Sequence, residues 1–178
     1  MNNFWQELFN RGDDVEVVLK DIVRTDDCGN GTFFKECVIA ATDGSLEVCA
    51  MFDDFDTAKY RAGDIYRVKL AFKCDYEYML PSVFKDEAEL VSHGIIKSPI
   101  YVIIGQNAGG DDEALSTAIV CGKIIAIKEF DGAHIFEVEY GDKTFPVVFF
   151  GEKPNAKVGD ILYGEFDVFA KFSSTCEK

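Results

Sequence analysis

Histidine is nearly absent from this sequence: His93 and His134 are the only two in 178 residues, and they stand far apart. Cysteine does not make up the deficit. Cys28, Cys37, Cys49, Cys74, Cys121 and Cys176 contain no Cys-x-x-Cys pair. A structural zinc site needs clustered soft ligands, and this spacing offers none. No metal and no cofactor is expected. Long apolar runs are missing too. None approaches the roughly 20 residues that span a bilayer. The opening Met1-Asn2-Asn3-Phe4-Trp5-Gln6-Glu7 has neither a basic n-region nor an apolar h-region, so it does not read as a secretory signal. A soluble, cytoplasmic protein with no membrane partner is expected. Phosphate-cradling, nucleophile-elbow and zinc-protease motifs are all lacking, so catalysis is not expected.

Positive charge is in deficit. Eighteen Lys and Arg face 32 Asp and Glu, a net charge of −14. The excess is spread along the chain, at −8 over residues 1–100 (11 against 19) and −6 over residues 101–178 (7 against 13). Such a surface repels a polyphosphate at long range and favours basic partners, although a local basic stripe can still bind within an acidic whole.

Apolar and aromatic residues are abundant. Hydrophobic residues make up 48% and aromatics 13%, with sixteen Phe. This composition excludes disorder and suits strands packed into sandwiches or barrels. Cys37, Cys49 and Cys121 fall inside strand-like runs and read as buried thiols acting as small hydrophobes. A Cys37–Cys49 disulfide would need an oxidising compartment.

A weak internal repeat organises the chain. Ala62-Gly63-Asp64-Ile65-Tyr66 recurs as Val158-Gly159-Asp160-Ile161-Leu162, 96 residues later (159 − 63). A strand-like run follows each copy, Tyr66–Cys74 and Leu162–Phe172. Two runs around a polar turn precede each copy. These are Phe33–Ala41 and Leu46–Phe52 in the first unit, and Ile135–Tyr140 and Phe145–Phe150 in the second. Ahead of each hairpin lies a further strand, Val15–Arg24 and Ala118–Lys128. Asp-Gly and Gly-Asp between apolar runs are hairpin chemistry. Alternation supports the strands. Tyr66, Val68, Leu70, Phe72 and Cys74 form one apolar face, as do Leu162, Phe166, Val168, Ala170 and Phe172.

The order strand, hairpin, loop, Gly-Asp, strand, twice over, resembles the OB-fold, a small Greek-key barrel, across roughly residues 13–80 and 115–172. The fold class expected is mainly β: two related OB-like antiparallel barrels, a short N-terminal helix and one inter-unit helix. The units run 1–105 and 115–178, with a polar, glycine-rich linker at 106–114. The fifth strand of the first unit has two candidates, Tyr101–Gly105 and Ala88–Ile96. The second unit all but lacks one, which leaves a barrel that is incomplete or closed by the other unit. Phe4, Trp5, Leu8 and Phe9 mark the first helix, read as capping an open barrel end. Ser82–His93 reads as the second, with Ser82 as N-cap, in competition with a strand.

Two surfaces are candidates for binding. Arg67, Lys69 and Lys73, with Lys59 and Arg61 nearby, form a basic stripe. In OB-like barrels a basic groove with aromatic platforms takes single strands, and Phe33 and Phe34 flank Lys35 on a neighbouring strand. The bland reading, a solvated face whose cations pair with nearby acids, is favoured. The acidic loops Asp53, Asp54, Asp56 and Asp111, Asp112, Glu113 read as solvated interaction loops without calcium-site spacing. The run Thr144–Phe150 is apolar on both faces and is read as packing unit against unit. The expected function is a non-catalytic interaction protein that presents an acidic surface to a basic protein partner; inhibition by charge mimicry falls within that class. Single-strand nucleic-acid binding through the stripe is the alternative, and an enzyme with a site between the units ranks last.

Overall fold

The computed structural model describes residues 3–27, 33–52, 59–74, 80–95, 101–102 and 116–174, and it is mainly β. The elements in chain order are α1 (Asn3–Asn10), β1 (Asp14–Asp27), β2 (Phe33–Ala41), β3 (Glu47–Phe52), β4 (Ile65–Lys73) and β5 (Ser82–Phe84). Then follow α2 (Glu87–Ser92), β6 (Tyr101–Val102), β7 (Thr117–Phe130), β8 (Ala133–Tyr140), β9 (Lys143–Phe150) and β10 (Ile161–Ser174). The eight long strands lie where period-two alternation places them. Residues Tyr66, Val68, Leu70, Phe72, Leu162, Phe166, Val168 and Ala170 all turn into the core.

The ten strands among the described residues hydrogen-bond into one sheet that closes on itself twice. The first circuit runs β1–β2–β3–β10–β4 and back to β1. The second runs β7–β8–β9–β4–β10 and back to β7. Each circuit thus borrows its fifth strand from the other half. The far end of β10 lies parallel to β3, through Phe169 and Ala170 opposite Met51 and Phe52. The far end of β4 lies parallel to β9, through Phe72 and Lys73 opposite Val147 and Val148. The antiparallel β4–β10 pair is the seam common to both circuits. Phe72 is paired there with Val168, 96 residues on (168 − 72), the same spacing as that between Gly63 and Gly159. Of the two candidate stretches, the described residues Tyr101–Val102 form β6 and pair with β7, outside the first circuit, and residues 88–92 lie in α2.

The Gly-Asp turns anchor the two halves in the same way. Gly63 and Gly159 have φ of 92° and 100°, a region that costs glycine little and other residues much. The amide of Gly63 donates to the Leu19 carbonyl at 2.7 Å, and Leu19 donates to the Asp64 carbonyl at 3.0 Å. In the second half Gly159 donates to Ile124 and Ile124 to Asp160, both at 2.8 Å. Next to each anchor the first strand of the unit is bulged, between Leu19 and Asp21 in β1 and between Ile124 and Ala126 in β7. A bulge bends a strand. The start of β1, residues 14–18, can therefore pair with β4 while residues 17–27 follow β2.

One continuous hydrophobic core fills both circuits, from Val15 and Leu19 through Phe72 and Phe145 to Phe166 and Phe172. A separate cluster lies on the outer face. There Phe4, Leu8 and Phe9 of α1 bury against Ala71, Ala133, Ile135 and Val148, with Trp5 4.6 Å from Phe169, ring to ring. The helix therefore covers strand faces at the seam and does not cap a barrel end. Its cover accounts for the two apolar faces of Thr144–Phe150, with a helix of the first unit packed on a strand of the second. Phe145, Val147 and Phe149 face the core, whereas Val148 lies under α1 and Phe150 meets the Phe4 ring at 5.2 Å. Pro146 sits just before the β4 contact begins, opposite Glu137 of β8. Arg11 ties the helix end down through Glu137, at 3.3 Å, and Glu7, at 2.9 Å.

The second helix is shorter than expected and begins later. Ser82–Phe84 is a strand, recruited by the open edge at the start of β10. Asp86 is the N-cap: its carboxylate accepts the Glu89 amide at 2.9 Å, while the Glu89 carboxylate accepts the Lys85 amide at 2.6 Å. This near-reciprocal capping fixes where the helix starts. The linker at 106–114 and the loop residues Asp53, Asp54, Asp56, Asp111, Asp112 and Glu113 lie outside the described residues.

Candidate binding cleft

Segments of both halves line an open cleft of about 790 Å³. One wall is the segment that follows β5: Lys85, Asp86, Glu87 and Leu90. The opposite wall is the β8–β9 hairpin end, Glu139 to Lys143. Cys121, Gly122 and Lys123 of β7 and Ile161 of β10 form the base, and Ser45 and Leu46 from the β2–β3 turn complete one end. Elements remote in sequence thus converge on one concavity.

Two close backbone approaches shape it. A Cβ at Gly164 would lie 2.6 Å from the Pro81 Cβ, so only a glycine in β10 lets Pro81 seat and hold β5 in place. A Cβ at Gly122 would lie 2.6 Å from the Glu139 carbonyl oxygen, so glycine lets β8 cross β7 at the cleft edge. Leu90 packs with Phe84, Cys121 and Ile161 in a small cluster of its own, which pins α2 against the base.

The cleft is apolar below and charged at its rim. Leu46, Leu90, Phe145 and Ile161 lie buried in its floor. Asp86, Glu87, Glu139 and Asp142 stand on the rim with Lys85, Lys123 and Lys143. Two further carboxylates touch lining residues: that of Glu89 accepts the Lys85 amide at 2.6 Å, and that of Asp43 accepts the Ser45 amide at 2.9 Å. The Asp43 carboxyl is held below its ordinary 3.8, first by the Ser45 hydrogen bonds and then by the Lys143 cation. Lys143 itself lies 3.8 Å from Asp142. Acid therefore outweighs base around the opening.

The basic stripe is placed differently. Arg67 is exposed on β4, opposite Glu16 of β1. Lys69 is half-buried and donates to the Gly12 carbonyl at 2.7 Å. Lys73 is half-buried beyond Ala71, and α1 covers Ala71. The helix thus divides Lys69 from Lys73. Lys35 lies at the other end of β1, in register with Thr25, and the Phe33 backbone pairs with Asp27. The structure brings Arg67 and Lys69 together and separates both from Lys35 and Phe33.

Cys37 and Cys49 are fully buried thiols on adjacent strands, offset in register, with Cys37 opposite Ala50 and Cys49 opposite Val38. Cys37 faces the core, and burial followed by the Cys49 thiol pushes its pKa up to about 12. Cys49 shares a contact of 3.6 Å with the Ser116 hydroxyl, and burial raises its pKa too. Among the described residues no group of three His, Cys, Asp or Glu could hold a metal ion, and no helix is long and apolar enough to cross a membrane.

The cleft itself left no local mark on the sequence. Its α2 wall did: Asp86-x-x-Glu89 ahead of an apolar residue is a helix-start signature. No family model, no curated protein and no solved structure matches this chain.

Proposed function

We propose that the chain is a non-catalytic interaction protein, built from two OB-like barrels that arose by duplication, and that it presents an acidic surface to a basic protein partner. One observation carries the reading: a cleft of about 790 Å³ whose rim is weighted towards carboxylates, in a chain of net charge −14. Complementary charge speeds encounter and excludes partners of the wrong sign. The division of the basic stripe by α1 counts against a strand of nucleic acid lying along it, because phosphate contacts gain from an unbroken cationic track. The Ser92–His93 contact at 3.3 Å is no nucleophile pair, since the Ser92 hydroxyl donates to the Glu89 carbonyl and helps close α2. Fully buried Cys37 and Cys49 thiols suit a reducing, cytoplasmic setting.

Fluorescence anisotropy tests the proposal with two labelled probes, an arginine-rich peptide and oligo-dT, at about 20 and about 150 mM salt. The peptide should bind, more weakly at the higher salt, and the oligonucleotide should not. Oligonucleotide binding, or no peptide binding at the lower salt, would overturn it.

A further inference from the structure

We infer that the outer face of the first half docks a second copy of this chain, about a two-fold axis that brings Ile65, Val18 and Ala40 of one copy against the same residues of the other.

The face stands out when the two halves are compared. Ile65 and Ile161 each follow a Gly-Asp turn, and each begins a row of side chains that crosses three strands in register. In the second half the row is Ile161, Lys123 and Glu139. Phe84 and Leu90 pack on its isoleucine, which is 9% exposed. In the first half the row is Ile65, Val18 and Ala40. Their chain neighbours Val17, Leu19, Ile39, Ala41 and Tyr66 face the core, so this row faces out. Its isoleucine is 48% exposed, and Val18 and Ala40 are half-buried. One place in the fold is thus charged and covered in one half, apolar and bare in the other. Residues opposite one another on adjacent strands stand about 5 Å apart, so the three side chains form a continuous stripe. A second sheet packs on such a stripe.

The charges beside the stripe select the occupant. Along β1, exposed Glu16 and Lys20 stand two residues to either side of Val18. With a two-fold axis along the stripe, across the strands, β1 of one copy runs antiparallel over β1 of the other. Val18 then meets Val18, Glu16 meets Lys20, and Lys20 meets Glu16. The pattern satisfies itself twice, as an isologous contact requires. One oxygen of Glu16 accepts the Thr42 hydroxyl at 2.9 Å, which orients the carboxylate and leaves it charged. Each copy carries −14, so repulsion at long range opposes the contact until salt screens it. A stripe this small gives a transient dimer. It lies apart from the cleft, so the inference stands or falls independently of the reading above.

The experiment is sedimentation of the full chain from about 10 μM to about 1 mM at about 150 mM salt. The parent should pass from monomer towards dimer over that range. Ile65→Asp should weaken association at least about tenfold. Glu16→Lys should weaken it about tenfold although the net charge falls to −12 (−14 + 2), because like charges then oppose each other across the axis. Lys20→Glu, at −16 (−14 − 2), should weaken it at least as much. An equimolar mixture of these two charge variants should recover the affinity of the parent, since each supplies the sign the other lacks; recovery also shows that both are folded. A parent that stays monomeric, a dimer indifferent to Ile65→Asp, or a mixture no tighter than its components would overturn the inference. Tighter association of Glu16→Lys alone would overturn it too, by making net charge the control. Amide shifts at Val18 and Ile65 on addition of the arginine-rich peptide would overturn it by assigning the face to the basic partner.

Discussion

Truncating Phe172 to alanine tests the strand exchange directly. Phe172 belongs to β10, the last strand of the second half, yet its ring sits among side chains of the first. It stacks on Tyr60 at 3.6 Å and 8°, on Phe52 at 4.7 Å, and meets Tyr66 edge-on at 5.3 Å. It is 9% exposed. Truncating a buried Phe costs about 3–5 kcal/mol, and the slight exposure points to about 3 kcal/mol. For a chain of this length each kcal/mol moves the melting temperature by about 2–4 °C, so the fall should be about 6–12 °C. Calorimetry and urea unfolding would measure it. The shared seam demands more than a size. Unfolding should stay a single transition, and the amides of Leu19 and Ile124, one in each circuit, should both exchange about a hundredfold faster. Acceleration at Leu19 alone, two separated transitions, or a cost under about 1 kcal/mol would refute the reasoning.

Three further outcomes are expected. Gly164→Ala should cost about 1–3 kcal/mol, because its Cβ would lie 3.0 Å from the Pro81 Cα and 2.6 Å from its Cβ; it should also loosen the β5–α2 wall, seen as faster exchange of the Leu90 amide, and unchanged stability would disprove the contact. Leu8→Ala, at a fully buried position under α1, should cost about 2–4 kcal/mol and shift Trp5 emission to the red; emission like that of the parent would mean the helix stays seated. Cys37 concerns alkaline pH. Its thiol keeps its proton in the folded protein up to about 12, whereas the unfolded chain releases it above 9.0, so this contribution is complete below pH 9 and is lost as pH rises towards about 12, by about 1.4 kcal/mol per unit. Urea midpoints at stepped alkaline pH should fall less steeply in Cys37→Ala, and identical slopes would show that Cys37 is not the group responsible.

Strand positions were legible because alternation is local. The runs at Phe33–Ala41 and Leu162–Phe172 carry their own faces, and hairpin turns punctuate them. Pairing between halves is not local. Nothing within residues 65–73 announces that Phe72 and Lys73 will lie beside Val147 and Val148. The same limit hides which residues of the first unit cover the apolar outer face of β9: they stand some 140 positions earlier, in α1. Ser82 failed as a cap because two stronger influences competed, the open edge of β10 and the Asp86–Glu89 exchange. Of the candidate sites, the stripe could be read as a run of cations on one strand face. The cleft could not, since its lining comes from six stretches of chain that meet only after folding.

The borrowed strands also set the timing of assembly. During synthesis the early half emerges with every strand of its circuit except the one encoded by residues 168–174. Until those residues leave the ribosome, Phe52, Tyr60 and Tyr66 lack the ring that covers them and the β3 edge stays unsatisfied. A nascent chain of this kind cannot mature domain by domain. It waits in an unfinished form, and a premature stop anywhere before residue 168 costs both halves at once.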